Sequence, residues 1–279
     1  MTELSLVAAL TKRLPRIGDD CAIVRHGDED LLFTTDLLVE DVHFRRTERT
    51  AADIGYRALA RSLSDIAAMG GDPRWATVAL ALPPWATERW VAAFYRGLLG
   101  LAARYKTEIV GGDFSRAPVL TADVMVCGTV PTGQALRRDG ARHGDVIYVS
   151  GPLGRGKWRF IPRLALGRQL RALGATSCMD LSDGLSLDLH RLALASRVSA
   201  ELHAIPLARG ASMEEGFHRG EDYELLFTLP ASVKPPRGMR GVGKVTSGKV
   251  GRVTYNGGLV TPDGHDHFRS QPQPHPRTA

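Results

Sequence analysis

Short apolar runs that stop at small or acidic residues set the rhythm of this chain. Leu31-Leu32-Phe33 is the kind of run that forms a buried strand, and it gives way to Thr34-Thr35-Asp36, three oxygen-bearing side chains in succession. Just upstream, Gly18-Asp19-Asp20 precedes a second run, Cys21-Ala22-Ile23-Val24. If the two runs pair as strands, Asp20 and Asp36 approach one another, and carboxylates that share a site repel unless a proton or a cation lies between them. Hard cations such as Mg2+ take oxygen ligands, commonly one or two carboxylates with waters and substrate phosphates. The stretch therefore reads as a Mg2+-phosphate site, while Gly-Asp-Asp equally reads as a turn closed by Asx hydrogen bonds.

Downstream, the period lengthens to that of a helix over 51–69, where Ile54, Ala58, Leu59, Leu63, Ile66 and Ala67 form a stripe ended by Gly70-Gly71-Asp72-Pro73. Asp65 lies on or beside that stripe, so it needs a partner: Arg61 one turn earlier, or a metal. Trp75–Leu82 reads as a strand closed by Pro83-Pro84. Thr87 then caps a helix to about Arg104 through Trp90, Val91, Phe94, Leu98, Leu101 and Ala102. Ile109-Val110 reads as a short strand ending in Gly111-Gly112-Asp113, where glycines would let a phosphate approach the backbone. Val119–Val130 is a long strand, and the polar segment from Pro131 to Asp145, with Arg137, Arg138 and Arg142, marks a boundary between domains. Those arginines read as a solvated loop or as phosphate ligands.

In the second half, the strand 146–150 runs into Gly151-Pro-Leu-Gly-Arg-Gly156-Lys157, which fits GxxxxGK. Trp158 stands where a P-loop needs Ser or Thr, and Pro162 interrupts the helix that should follow, so a P-loop is disfavoured. Residues 163–173 read as a helix. Asp180-Leu-Ser182-Asp183-Gly184 opens another with Leu185, Leu189, Leu192 and Ala193, and capping accounts for one of its three oxygen-bearing residues. Gly220-Glu221-Asp222 precedes a strand from Tyr223 to Leu229, Asn256-Gly257 reads as a hairpin turn, and the Pro/Gln-rich tail after Phe268 reads as frayed.

Composition narrows the classes. The 279 residues are 43% hydrophobic, enough for one large or two modest domains. No run of about 18 apolar residues is present, so no membrane span is expected, and without a leader pattern the protein is expected to be cytoplasmic. Cys21, Cys127 and Cys178 are scattered, as reduced core thiols are. The net charge of +6 is uneven: residues 1–72 hold 13 Asp/Glu against 9 Lys/Arg, and the rest is basic. No Lys/Arg run with interleaved aromatics points to nucleic acid. An acidic half that collects cations beside a basic half that meets phosphates suits a nucleotide enzyme. No GxSxG elbow or Ser-His-Asp spacing supports a hydrolase.

Taken together, IGDDCA, TTDLLVEDVHF, SLSDIAAMGGDPRW, YKTEIVGGD, RRDGARHGD, MDLSDGL and GEDYELLF resemble the thiamine-monophosphate kinase family, in order, from about residue 16 to residue 268. Its superfamily includes aminoimidazole ribonucleotide synthetase, selenophosphate synthetase and the hydrogenase maturation dehydratase, all users of ATP. The resemblance implies a two-domain α/β (α+β) fold. Residues 1–135 would be an ATP/Mg-binding and dimerisation domain whose sheet pairs across a homodimer. Residues 136–279 would be an α/β domain, its sheet carrying helices on one face, that completes the nucleotide and substrate site. It implies transfer of the ATP γ-phosphoryl group to thiamine monophosphate, giving thiamine diphosphate and ADP. A related synthetase with another acceptor, or a non-catalytic nucleotide-binding protein, is the alternative.

By motif match, Asp20, Thr34, Thr35, Asp36, Asp65, Asp113, Asp180 and Asp183 would ligate several Mg2+ ions, with Asp36, Asp113, Asp180 and Asp183 the catalytic set. Gly112, Asp113, Arg138 (or its neighbour Arg137) and Ser182 would hold ATP phosphates, Tyr105 would lie near the nucleotide, and His43, Glu221 and His265 would face thiamine phosphate. The acceptor is an already ionised phosphate oxygen, so charge neutralisation and alignment matter more than a strong base. The chain departs from the family at GPLGRGKWRFIPR, which replaces a longer helical stretch, and near 204–220. Arg219 stands where a glycine is usual, and His265 where an aromatic is more typical.

Overall fold

A computed structural model describes residues 3–14, 16–265 and 268 of the chain; the tail expected after Phe268 lies outside the described residues. Helix α1 (Glu3–Thr11) is followed by a hairpin of β1 (Ala22–His26) and β2 (Glu29–Val39). Then come α2 (Ala51–Ala68), β3 (Asp72–Leu82), α3 (Glu88–Tyr105), β4 (Glu108–Arg116) and β5 (Thr121–Pro131). Their five strands form one sheet in the order β1-β2-β5-β3-β4. The hydroxyls of Thr50 and Thr87 accept the N–H groups of Asp53 and Trp90, so both long helices start at a capped turn. Their stripes meet the sheet and each other: Ile54, Leu59, Leu63, Ile66, Phe94 and Leu98 are all buried. Each such side chain contributes about 1.5–3 kcal/mol on burial. A methyl carbon at Gly55 would lie 2.0 Å from the Phe94 carbonyl oxygen, and one at Gly97 1.8 Å from that of Ala52. The helices therefore cross backbone against backbone.

Two strands run further than expected. β2 does not end at Thr34; it continues through Thr35 and Asp36 to Val39, paired residue for residue with β5. Period-2 alternation then turns Thr34 and Asp36 toward α2 and Thr35 to the opposite face. Likewise, Gly111-Gly112-Asp113 does not terminate a strand but lies within β4, beside β3. A methyl carbon at Gly112 would sit 2.0 Å from the Val78 carbonyl oxygen, so this glycine admits its neighbour's backbone. The face of the sheet away from the helices is open. Along it, Leu37, Asp123, Ala79 and Asp113 make one row across four strands, and Phe33, Cys127 and Trp75 another.

The second half holds β6 (Val146–Val149), α4 (Leu164–Leu173), β7 (Ser177–Asp180), α5 (Leu185–Ala195) and β8 (Ser199–Leu202). It continues with α6 (Met213–His218), β9 (Leu225–Leu229), β10 (Gly241–Thr246), β11 (Val253–Tyr255) and β12 (Gly258–Val260). The seven-stranded sheet runs β12-β11-β8-β10-β6-β9-β7. Alternation along β9 assigns the layers: Leu226 faces α5 and α6 with Ile147, Met179 and Leu189, whereas Leu225, Phe227 and Leu229 face the other way. The expected layer of helices on one face is thus α5 with α6. The opposite face is covered by α4 and the last turn of α2, through Leu170 and Ala68. The Asn256-Gly257 turn, with both residues at positive φ, closes the β11–β12 hairpin as the sequence predicts.

Helix α2 thus serves both halves. Arg57, buried in it, donates to the carbonyls of Lys157 and Trp158 and to Glu221. Its guanidinium lies over the rings of Trp158, Phe160 and Tyr223. The Gly151–Lys157 stretch is not followed by a helix; the next begins at Leu164, and Lys157 is exposed. This is not the geometry of a P-loop.

Candidate active site

Three segments far apart in sequence bring Asp20, Asp65 and Asp180 together. Asp20 ends the loop before β1, Asp65 comes from α2, and Asp180 from the end of β7. One carboxylate oxygen of each lies within 4.8 Å of the others. Thr34, turned inward by the pleat of β2, donates to Asp65, and Ser64 donates to Asp180 at 2.7 Å. Arg138 pairs with Asp20 and, through its backbone N–H, with Asp19. Arg137 instead forks onto Asp139 at the surface. Asp36 is not one of the three converging carboxylates. Arg61, one of the two partners considered for Asp65, is 3.2 Å from Asp36 and donates to the Leu37 carbonyl at 2.7 Å.

The helix-start residues Asp180, Ser182 and Asp183 are freed from capping by a residue the sequence reading did not single out. Asp188 accepts the N–H groups of Asp183 and Gly184 at 3.0 and 3.1 Å and is fully enclosed. Asp183 pairs with Arg191, and Arg191 also reaches Asp188. Opposite, the Gly220-Glu221-Asp222-Tyr223 loop holds Glu221 and Tyr223 at positive φ, a strained geometry for non-glycine residues that clusters at ligand sites. The Glu221 N–H is tied to the Ser182 carbonyl at 2.7 Å, so the two loops form one wall. His43 accepts the Val39 N–H at Nδ1, 3.0 Å away, which places the proton of its neutral ring on Nε2.

Electrostatics set the cluster apart from an ordinary polar patch. Burial first, then the charges of Asp36, Asp180 and Asp20, push the Asp65 carboxyl well above the usual carboxylate range. Asp180 rises for the same reasons, burial first and then Asp20. Asp20 and Asp36 are also raised by burial, with Arg138 and Arg61 respectively pulling back. Burial and the Asp20 charge push Asp19 up to about 7. One oxygen of Asp20 is buried with no hydrogen-bond donor. Converging hard oxygens, mutual repulsion and an unsatisfied buried acceptor fit a divalent cation of the Mg2+ or Mn2+ type.

Three cavities meet here. One of about 620 Å3 is lined by Asp19, Asp20, Thr34, Thr35, Asp65 and Arg138, with Val7 and Ala8 of α1 on its rim. A second of about 520 Å3 lies between His43, Arg57, Trp158, His218, Glu221 and His265. A small chamber of about 150 Å3 lies between them. It shares Asp65, Asp180, Ser182 and Asp183 with the first and His43, Glu221 and His265 with the second. Asp36, Arg61 and Tyr223 complete its walls.

Not every expected residue arrives. Gly112 and Asp113 are exposed on β4 and line none of these cavities, and neither does Tyr105, whose hydroxyl donates to the Pro162 carbonyl at 3.3 Å. Thr35 lines the first cavity while its hydroxyl reaches Asp123 on the open face. Arg57 and Asp188 were missed, and Arg61 was read as a possible partner of Asp65 with no role of its own in the site. Arg57 and Arg61 share a face of α2, at i and i+4 from one another with Asp65 at i+8, a charged row that spacing alone discloses.

Comparison with known proteins bears on this geometry. Residues 18–130 match the family model of the AIR synthase related protein, N-terminal domain. The chain is 38% identical to thiamine-monophosphate kinase of Escherichia coli strain K12 over 250 residues, 77% of this chain and 76% of that relative. It is 35% identical to thiamine-monophosphate kinase of Aquifex aeolicus strain VF5, covering 95% of this chain and 98% of the other. The solved structure of AaThiL complexed with AMPPCP and TMP superposes with a TM-score of 0.89 at 32% identity, covering 96% of this chain and 97% of that one.

Proposed function

The chain belongs to the thiamine-monophosphate kinase family, and from that footing we propose that it transfers the γ-phosphoryl group of ATP to thiamine monophosphate, giving thiamine diphosphate and ADP. The observation that carries this reading is the small acidic chamber joining two larger cavities. One cavity receives the nucleotide and the other the acceptor, so the two phosphates meet in the chamber. The AaThiL relative was solved with AMPPCP, an ATP analogue that resists hydrolysis, and TMP together, a pairing that suits two separate cavities.

Asp20, Asp65 and Asp180, with Asp36 and Asp183 nearby, would hold Mg2+. Bound there, the metal supplies the positive charge that lets triphosphate and monophosphate approach. The chain's own groups do the rest. Arg138, anchored by Asp19 and Asp20, presents its charge to the nucleotide cavity. Ser182 lies where both the first cavity and the chamber reach it and can donate to a phosphate oxygen. His43, with its proton on Nε2, and His265 stand between chamber and acceptor cavity, where each can donate to the acceptor phosphate. That phosphate is already ionised, so no side chain needs to remove a proton before it attacks.

Two copies would pair through the open face of the first sheet, where Trp75 and Leu37 are 43% and 53% exposed. Asp113, with Asp123 and Thr35, would then lie at the interface. Among the described residues no helix is long and apolar enough to cross a membrane. Three buried free thiols suit a reducing compartment, and we place the enzyme in the cytoplasm. The test is incubation with ATP, Mg2+ or Mn2+, and thiamine monophosphate, followed by chromatography of the thiamine esters. Thiamine diphosphate and ADP should appear in equal amounts; ATP uptake without product under either metal would refute the reading.

A further inference from the structure

We infer that Arg61 is a catalytic residue that donates hydrogen bonds to the phosphoryl group while it is in transfer; this rests on the phosphoryl transfer proposed above. The chamber between the two cavities is lined by five carboxylates, those of Asp36, Asp65, Asp180, Asp183 and Glu221, and by one arginine. That arginine is nine-tenths enclosed. Its Nη1 donates to the Leu37 carbonyl at 2.7 Å and its Nη2 lies 3.2 Å from Asp36. Its Nε is buried without a hydrogen-bond partner. A guanidinium carries five N–H donors in a rigid fork. Leaving a buried donor unmet costs about 1–3 kcal/mol, a cost that disappears if a ligand accepts it.

Two anchors fix the plane of the fork. The Leu37 carbonyl is part of β2, held along its whole length to β5, and Arg61 itself sits in the middle of the capped helix α2. A guanidinium so placed need not reorganise when charge develops beside it, which is what makes electrostatic catalysis effective. In the reaction, the bond from the γ-phosphorus to the β–γ bridging oxygen breaks as a bond from an acceptor phosphate oxygen to that phosphorus forms. The electron pair leaves with ADP, and no proton moves. Arg61 forms no covalent bond; its N–H groups contact the outer oxygens of the phosphorus between the two partners. Arginines that do this in other phosphoryl-transfer enzymes contribute about 10^3–10^5 in turnover. The remaining cations around the chamber are otherwise engaged: Arg57 lies behind Glu221, and Arg191 is bound to Asp183 and Asp188.

The test begins with wild-type turnover. If the wild type makes no thiamine diphosphate, the functional reading fails before Arg61 is examined. Given turnover, R61A should lose about 10^3-fold or more in kcat while KM for ATP and thiamine monophosphate changes less than about fivefold. ADP with aluminium fluoride and thiamine monophosphate, a mimic of the group in flight, should inhibit the wild type tightly. The mimic should bind R61A at least about 100-fold more weakly, whereas AMPPCP should bind both alike. Added guanidinium ion should restore part of the R61A rate. R61K keeps the charge against Asp36 and hence the fold, but an ammonium cannot span Leu37, Asp36 and the phosphoryl group together, so about 30-fold or more should still be lost. Full turnover in R61K, a loss below tenfold in R61A, or equal weakening of AMPPCP and the fluoride mimic would each overturn the assignment.

Discussion

Replacing Asp65 by asparagine should stabilise the protein in chelator, and most of that advantage should disappear once metal and nucleotide are present. In the wild type the Asp65 carboxyl faces Asp20 and Asp180, with oxygens within 4.8 Å. Two unit charges at about that distance repel by about 3–4 kcal/mol at an effective dielectric of about 20. Proton uptake limits what is actually stored, so relieving the contacts should return about 2–4 kcal/mol. At about 2 °C per kcal/mol for a chain of this size, the asparagine variant should melt about 4–8 °C higher in EDTA. Burial first, and then its acidic neighbours, raise the Asp65 carboxyl well above the usual carboxylate range. The wild type is therefore least penalised at low pH, and the gap should widen as pH rises from about 4 toward 8. With Mg2+ and AMPPCP at about 100 times their dissociation constants, the wild type should gain about 2.7 kcal/mol, or roughly 5 °C, and the variant far less. Differential scanning fluorimetry in both buffers measures how far the gap closes. A variant that melts at or below wild type in EDTA, or that gains the same increment with Mg2+ and AMPPCP, refutes the claim that Asp65 is a strained member of a cation site.

Burial pushes the Asp222 carboxyl up to about 6, against the hydrogen bond it accepts from Gly154. Its contribution is therefore present below pH about 4 and lost as pH rises to about 6, so the melting-temperature advantage of D222N should grow across that window and then level off; a pH-independent difference contradicts this. Trp75→Arg puts a charge on the open sheet face and should shift sedimentation from dimer to monomer, whereas an unchanged mass would rule that face out as the contact. Lys157→Ala should leave turnover within about twofold and stability within about 0.5 kcal/mol, because the side chain is exposed; a loss above about 100-fold would revive the P-loop.

Much of this was legible because it rests on periodicity and caps. The stripes of α2 and α3, the Thr87 cap of α3 and the Asn256-Gly257 hairpin turn are local signals that tertiary packing reinforces. Gly111-Gly112-Asp113 misled because glycine weakens a strand locally, whereas β3 packs so closely on Gly112 that only glycine fits there. The run Thr34-Thr35-Asp36 resembled a strand end because polar residues usually mark one. β-branched threonines also suit a strand, and pairing with β5 carries β2 through. Arg61 was read by its distance along the helix from Asp65, but the choice of partner depended on where β2 places Asp36. No local pattern announces Asp188, a buried carboxylate serving backbone N–H groups of its own helix start.

The narrow chamber has a wide mouth on either side of it, one beside α1 and Arg138 and the other beside His43 and Trp158. With donor and acceptor placed one at each mouth, as proposed above, neither would bar the other's way in or out. A protein so built has no geometric reason to impose an order on its visitors. Initial-rate plots should show the intersecting lines of a random ternary mechanism, and no phosphorylated form of the chain should accumulate along the way.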